Sequence, residues 1–297
     1  VTSLGGSLGD APTDATPSRA GIGLGLSRCL SAEFQYRLQS LAIDFDPQQP
    51  HERIAQCVID ELQQAHPYPE VGYTADRRFT IHWQIDDRDR QPAPAFRLDE
   101  QSVVLVVGGA RGIGASISRL IAAQTRARFV ILGRSAVDGN DADAPSGPLT
   151  LEAARAAVLD EAEASGQRVV PAQVDALAWE RVWATERARG LAMLREVAGE
   201  VDYHQCDVTD IEQVRAVVAQ VVEKFGRIDA VIHGGGALLS KSTEDLSVRE
   251  FVTGLRSKAL GTACVLAALH DVQVGAFINL SSISGRRGNV GQSAYAV

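Results

Sequence analysis

The sequence predicts an α/β protein, a doubly wound parallel sheet preceded by a smaller α/β segment. Three observations carry this. From Val103 onward, short apolar β-favouring runs alternate with amphipathic helical stretches. The first run, Val103 to Val107, ends in a glycine-rich turn, Gly108-Gly109-Ala110-Arg111-Gly112-Ile113-Gly114. Upstream of residue 98 the pattern is shorter, and the polar, proline-bearing stretch Asp86 to Pro94 closes it off.

Residues 1 to about 20 are rich in Gly, Ser, Thr, Ala and Pro and read as a loop or linker. A helix is expected over 25–34 and a strand over 38–45, broken by Asp46-Pro47. Pro50 opens a second helix with apolar positions Ile54, Val58, Ile59 and Leu62. Val71-Gly72-Tyr73 and Phe79 to Trp83 predict two short strands across a turn. The second region reads strand 103–107, helix 112–124, strand 129–133, an interruption, strand 201–206, helix 211–225, strand 230–233, helix 248–270 and strand 276–281. Alternation at this spacing means parallel strands joined by right-handed crossovers.

The interruption, 136–200, predicts a flexible loop over 139–148 and helices over 150–165 and 176–197, linked by the apolar piece Val169 to Val174. Thr150 is placed to cap the first helix, with Glu152 in its first turn. Trp179, Val182, Trp183, Leu191, Leu194 and Val197 form an interrupted stripe on the second. It reads as packing on the main domain, with docking to a partner domain as the other reading.

Composition narrows the function. The chain has 297 residues, enough for two domains, with 45% hydrophobic and 22% charged residues, a normal globular balance. A formal net charge of −8 argues against nucleic-acid and anionic-membrane partners. No run of about 18 apolar residues predicts a membrane span, and the N-terminus has no signal-peptide pattern. Cys29, Cys57, Cys206 and Cys264 are scattered in apolar stretches without a C-x-x-C pair. They read as buried thiols of a reducing, cytoplasmic compartment rather than as disulfides or zinc ligands. Both ends look cut, because residue 1 is Val and Ser293 to Val297 open a helix without closing it. The chain is therefore expected to be a piece of a longer polypeptide.

The chemistry-bearing residues follow the strand ends. The glycine turn lets the backbone approach a phosphate, at which the first N–H groups and dipole of the next helix would point. Arg134 stands at the end of the second strand, where an NAD enzyme would place a ribose-binding acid. With Arg111 it offers two guanidinium groups to a 2′-phosphate, which favours NADPH over NADH. Asp207 ends the third strand, suited to an adenine amino group and equally to the start of a helix. Gly234, Gly235 and Gly236 end the fourth and permit close approach of a flat ligand, while His233 reads as structural. Ser282 follows the last strand, Tyr295 lies 13 residues beyond it, and Lys258 sits in the preceding helix. A tyrosine phenol is protonated at neutral pH and can protonate a carbonyl oxygen, a nearby ammonium stabilises the phenolate, and a hydroxyl can join them.

Together these residues resemble the short-chain dehydrogenase/reductase superfamily, from Val103 to the last residue. Its glycine fingerprint maps to Gly108, Gly112 and Gly114, with Val107 where a threonine is usual, and its serine and tyrosine map to Ser282 and Tyr295. The chain is more similar to the ketoreductase domains of type I polyketide and polyunsaturated fatty-acid synthases. Lys258-Ala259-Leu260-Gly261 resembles their Lys-x-x-Gly, Gly291-Gln292-Ser293-Ala294-Tyr295 their tyrosine motif, and His233-Gly234-Gly235-Gly236 their His-Ala-Ala-Gly. Gly25-Leu26-Ser27-Arg28, Glu33, Ala42-Ile43-Asp44, Glu61-Leu62, Glu70 to Tyr73 and Arg77-Arg78 resemble the second half of the truncated, cofactor-free Rossmann-like subdomain that precedes such domains.

The resemblance implies a structural subdomain over 1–98 and a Rossmann-fold catalytic subdomain over 99–297, with 136–200 as a helical insert. It implies NADPH-dependent reduction of a 3-oxoacyl thioester on an acyl carrier protein's phosphopantetheine arm, beside neighbouring synthase domains. Tyr295, Ser282 and Lys258 would be catalytic. Gly108, Arg111, Gly112, Ile113, Gly114, Arg134, Asp207, Val208, Gly234 and Gly235 would hold the cofactor, and no metal is expected. A free-standing carbonyl reductase is the alternative, separated by position 299 (lysine there, asparagine in the synthase domains), and a non-catalytic scaffold is the third reading. Leu238-Leu239-Ser240 replaces a Leu-Asp-Asp motif and Arg287 a tryptophan eight residues before the tyrosine, so neither stereochemical fingerprint is present.

Overall fold

The structure is a computed structural model that describes residues 8, 20–34, 37–38, 40–64, 70–82, 84, 96–137, 147–236 and 240–296. Apart from Leu8, the expected linker before residue 20 lies outside the described residues, as do the Asp86 to Pro94 boundary, most of the 139–148 loop, Trp83, Leu238 and Leu239. The described residues form two compact units, one within 1–93, 237–259 and 281–297, the other within 94–236 and 260–280.

The first unit begins with α1 (Ala20–Glu33), β1 (Ala42–Phe45), α2 (His51–Leu62), β2 (Glu70–Tyr73) and β3 (Arg78–Thr80). Among the described residues its sheet runs β1-β2-β3, with β1 parallel and β3 antiparallel to β2. The expected helix over 25–34 starts earlier, and the expected strand over 38–45 shortens to its last four residues. Pro50 sits at the N-cap of α2, where its missing N–H and fixed φ cost nothing. Phe45 stacks on Tyr73 with centroids 5.3 Å apart. Buried Glu61 accepts hydrogen bonds from Tyr73 and, at 2.7 and 3.1 Å, from Arg78. Burial and then the hydrogen bond to Glu61 push the Tyr73 phenol up to about 12. The unit is completed by α8 (Ser284–Arg287) and α9 (Ser293–Ala296).

The second unit carries β4 (Val103–Val107), α3 (Gly112–Thr125), β5 (Arg128–Gly133), α4 (Leu151–Ala164), α5 (Pro171–Arg195), β6 (Glu200–Gln205), α6 (Ile211–Phe225), β7 (Ala230–His233) and β8 (Ala276–Asn279), while α7 (Val248–Ala268) supplies residues to both units. Its sheet is parallel throughout in the order β6-β5-β4-β7-β8 among the described residues. The order reverses at β4, as the doubly wound reading requires. Successive β4 residues point to opposite faces. Val103, Leu105 and Val107 join Val214, Val217 and Val221 of α6 and Val265 of α7. Val104 and Val106 join Ala122 of α3 and Leu191 and Leu194 of α5. Each such side chain contributes roughly 1.5–3 kcal/mol of burial, and cover on both faces explains the unbroken valine run.

Thr150 caps α4 by accepting from the Ala153 N–H at 3.2 Å, as its sequence position predicts. The second insert helix departs from expectation. It starts at Pro171, a favoured first helical residue, and so absorbs the apolar linker from Pro171 to Val174. Its stripe also divides. Leu191 and Leu194 enter the core and Val182 meets Ala154 and Ala178, but Trp179 and Trp183 stay 42% and 40% exposed. Cys29, Cys206 and Cys264 are buried as expected, whereas Cys57 of α2 is only half-buried.

Candidate active site

The glycine turn lies where β4 ends. Gly108 has φ +76°, a region that favours glycine, and its N–H donates to the Leu132 carbonyl at 2.8 Å. The Gly234 N–H donates to the Val107 carbonyl at 2.9 Å, so the ends of β5, β4 and β7 meet. A Cβ on Gly108 would come within 3.1 Å of the Gly235 nitrogen, and one on Gly114 would overlap the Gly108 carbonyl oxygen. Only bare backbone allows α3 to start this close to the strand. Arg111 takes the N-cap position in extended backbone without a side-chain cap, and no acidic residue occupies the first turn. The N–H groups of Gly112, Ile113 and Gly114 and the helix dipole are thus left to an anion. These features fit a nucleotide cofactor's phosphates.

The parallel register brings the other predicted cofactor positions to the same edge of the sheet. Arg134 follows β5, is exposed, and accepts from Gln205 Nε2 through its carbonyl at 3.2 Å. Asp207 follows β6, and its Oδ1 accepts from the Thr209 N–H and hydroxyl, both at 2.9 Å. The helix-start acid is Asp210, which caps α6 by accepting from the Glu212 and Gln213 N–H groups. Ile113 is exposed, whereas Val208 is buried, and a Cβ on Gly261 would come within 2.9 Å of it. His233 is fully buried, in keeping with a structural role.

In the first unit the structure brings Lys258, Ser282 and Tyr295 into one network. Lys258 Nζ lies over the Tyr295 ring, 5.9 Å from its centroid. Burial pulls the Lys258 ammonium below the usual lysine range. Gly254, one turn before Lys258, lets α7 approach α9, because a Cβ there would stand 3.0 Å from that of Ala294. Ser282 Oγ accepts from the Ser284 N–H at 3.1 Å and donates to Ser284 Oγ at 3.2 Å. Ser284 Oγ donates to Gln292 Oε1 at 2.8 Å, and the Gln292 carbonyl accepts from the Tyr295 N–H at 2.9 Å. Helix α1 braces both loops. Arg28, paired with Glu70, donates to the Gly285 carbonyl. Glu33 accepts from the N–H groups of Gly291 and Thr243, each at 2.9 Å. Ser284, Gln292 and these roles of Arg28 and Glu33 have no chemical signature in the sequence, because each acts through a partner distant along the chain. A phenol, a hydroxyl and a desolvated ammonium can donate a proton, orient an oxygen and stabilise the anion left behind.

The KR domain profile matches residues 102–297, from the threshold of β4 to beyond Tyr295. The chain belongs to the KR domain family, the ketoreductases. This family match spans both the glycine turn and the Lys258–Tyr295 network. The chain is 26% identical over 311 residues to one component of the polyunsaturated fatty acid synthase of Thraustochytrium sp., covering all of this chain and 11% of that protein. It is 30% identical over 228 residues to polyketide synthase ThaG of Burkholderia thailandensis, covering 76% of this chain and 3% of that protein. The ketoreductase thus spans a small fraction of either relative. Among solved structures, a ketoreductase domain from the bacillaene assembly line aligns over 93% of this chain and 54% of that one, with TM-score 0.65 and 23% identity, a likeness of fold. Among the described residues no helix is long and apolar enough to cross a membrane.

Proposed function

We propose that this ketoreductase reduces a 3-oxoacyl thioester, held on the phosphopantetheine arm of an acyl carrier protein, to the 3-hydroxyacyl thioester with NADPH. It would act as one domain of a polyketide or fatty-acid synthase, beside the carrier and neighbouring synthase domains. The observation that carries the reading is Lys258 over the Tyr295 ring, with Ser282 tied to Tyr295 through Ser284 and Gln292. NADPH, when bound, supplies the hydride that goes to the C3 carbonyl carbon. Tyr295 gives its phenolic proton to the carbonyl oxygen, and Ser282 holds that oxygen by a hydrogen bond. The Lys258 charge stabilises the phenolate until solvent returns a proton.

The residues at the strand ends support the choice of cofactor. Gly108, Gly112, Ile113 and Gly114 would cradle the phosphates, and Gly234 and Gly235 would admit the flat ring. Asp207 and Val208 would border the adenine. Arg111 and Arg134 would take the 2′-phosphate, with no carboxylate at the end of β5 to favour a ribose hydroxyl. The carrier-bound substrate draws support from the synthase relatives. Three buried thiols and a half-buried one suit a reducing cytoplasm.

The test compares substrates for the full-length polypeptide. NADPH oxidation with a 3-oxoacyl group on carrier protein should show a higher kcat/KM than with a small diffusible ketone. An equal or higher value for the small ketone contradicts the carrier-bound assignment and favours a free-standing reductase.

A further inference from the structure

We propose that helix α5 of the insert belongs to the cofactor site, with Trp183 and Glu186 as positioning residues that hold Arg111 and tune its grip on a 2′-phosphate. This rests on the NADPH reading above. Four residues of α5 carry it: Trp179, Trp183, Glu186 and Gly190, spaced by four, three and four. That spacing lines one face of a helix. At Gly190 the helix meets the glycine turn backbone to backbone, since a Cβ there would overlap the Ala110 carbonyl oxygen. One turn earlier Glu186 Oε2 lies 3.8 Å from Arg111 Nη1. One turn before that, the Trp183 ring faces the Arg111 guanidinium, its centroid 5.0 Å from Cζ. Trp179 stacks on Trp183 with centroids 5.7 Å apart.

This arrangement explains two exposed tryptophans that the core does not use. Stacking against an indole fixes the guanidinium plane and leaves its edge N–H donors for a phosphate. Arg111 spans from the N-cap of α3 to α5, so its charge is held beside the turn rather than spread over the orientations of a long side chain. Glu186 acts in the opposite sense. At 3.8 Å and on an exposed site it binds Arg111 weakly, yet its negative charge opposes a phosphate dianion on the same arginine. The pair therefore sets the cofactor preference between them, with Trp183 favouring the 2′-phosphate and Glu186 limiting its affinity.

The experiment titrates the full chain with NADPH and NADH, and with adenosine 2′,5′-bisphosphate and 5′-AMP as probes of the adenosine end alone. The unaltered chain should prefer the 2′-phosphorylated member of each pair. Trp183→Ala should weaken NADPH and bisphosphate binding about two- to fivefold and leave NADH and AMP unchanged. Trp183→Phe, which keeps a ring face, should restore most of the loss. Glu186→Gln should tighten the 2′-phosphorylated ligands about two- to threefold. An unaltered chain that prefers the 2′-phosphate, with both Glu186→Gln and Trp183→Ala leaving that preference unmoved, overturns the role of α5 and leaves the NADPH reading standing. An unaltered chain with no preference overturns the NADPH reading and this inference with it.

Discussion

Lys258 has two tasks that pull against each other. Its charge serves Tyr295, but burial disfavours that charge and lowers the pKa. The reaction needs the ammonium, so activity should fall as pH rises through a value below the ordinary lysine range. Lys258→Arg keeps the charge at all accessible pH and should move this basic limb of the kcat/KM profile upward. An unmoved limb would assign it to another group. Residues of this kind are legible in a sequence because the chemistry demands their types at strand ends and in a set spacing. Ser284, Gln292 and Glu33 are not, since their value lies in hydrogen bonds to distant segments. Glu33 reaches Gly291 across 258 positions. Asp207 was legible as a strand-end acid, but whether it starts the helix was decided by geometry. Its carboxylate turns back to Thr209, and Asp210 takes the cap.

At the scale of elements, sequence and structure agree where one local cause dominates. Helix α6 is bounded as expected because Asp210 caps its first N–H groups and Gly226, with φ +76°, ends it in a left-handed turn. Removing the cap by Asp210→Ala should cost about 1 kcal/mol, measured as a shift of the urea midpoint with the slope unchanged. A cost near zero would mean that Gln213 or solvent satisfies those groups. Strand β4 was legible as a valine-rich run because both of its faces are covered. Helix α5 was only half legible. Its apolar residues serve three neighbours, namely the core, α4 and Arg111, so they do not form a single stripe. The weak periodicity that results hides both its start at Pro171 and the use of its tryptophans.

For the whole molecule, the alternation of strands and helices sufficed for the parallel sheet and its reversal at β4. The composition of the two compact units was not legible, because residues 237–259 and 281–297 join the first unit through contacts that no local pattern encodes. The thiols report on the fold as a whole. Cys57 should react first with a thiol reagent at neutral pH. Cys206, whose thiol burial and then Asp207 push up to about 11, should react only on unfolding, together with Cys29 and Cys264. Peptide mapping by mass spectrometry distinguishes them, and early labelling of Cys206 would contradict the buried core around β6 and α6.

The central claim is that Tyr295 is the acid that protonates the substrate carbonyl. Its most direct test is the rate of NADPH oxidation by the full-length polypeptide with a carrier-bound 3-oxoacyl thioester, before and after Tyr295→Phe. The variant should bind NADPH as before and lose about 10²- to 10⁴-fold in kcat. A rate unchanged by the substitution would contradict the assignment of Tyr295 as the acid.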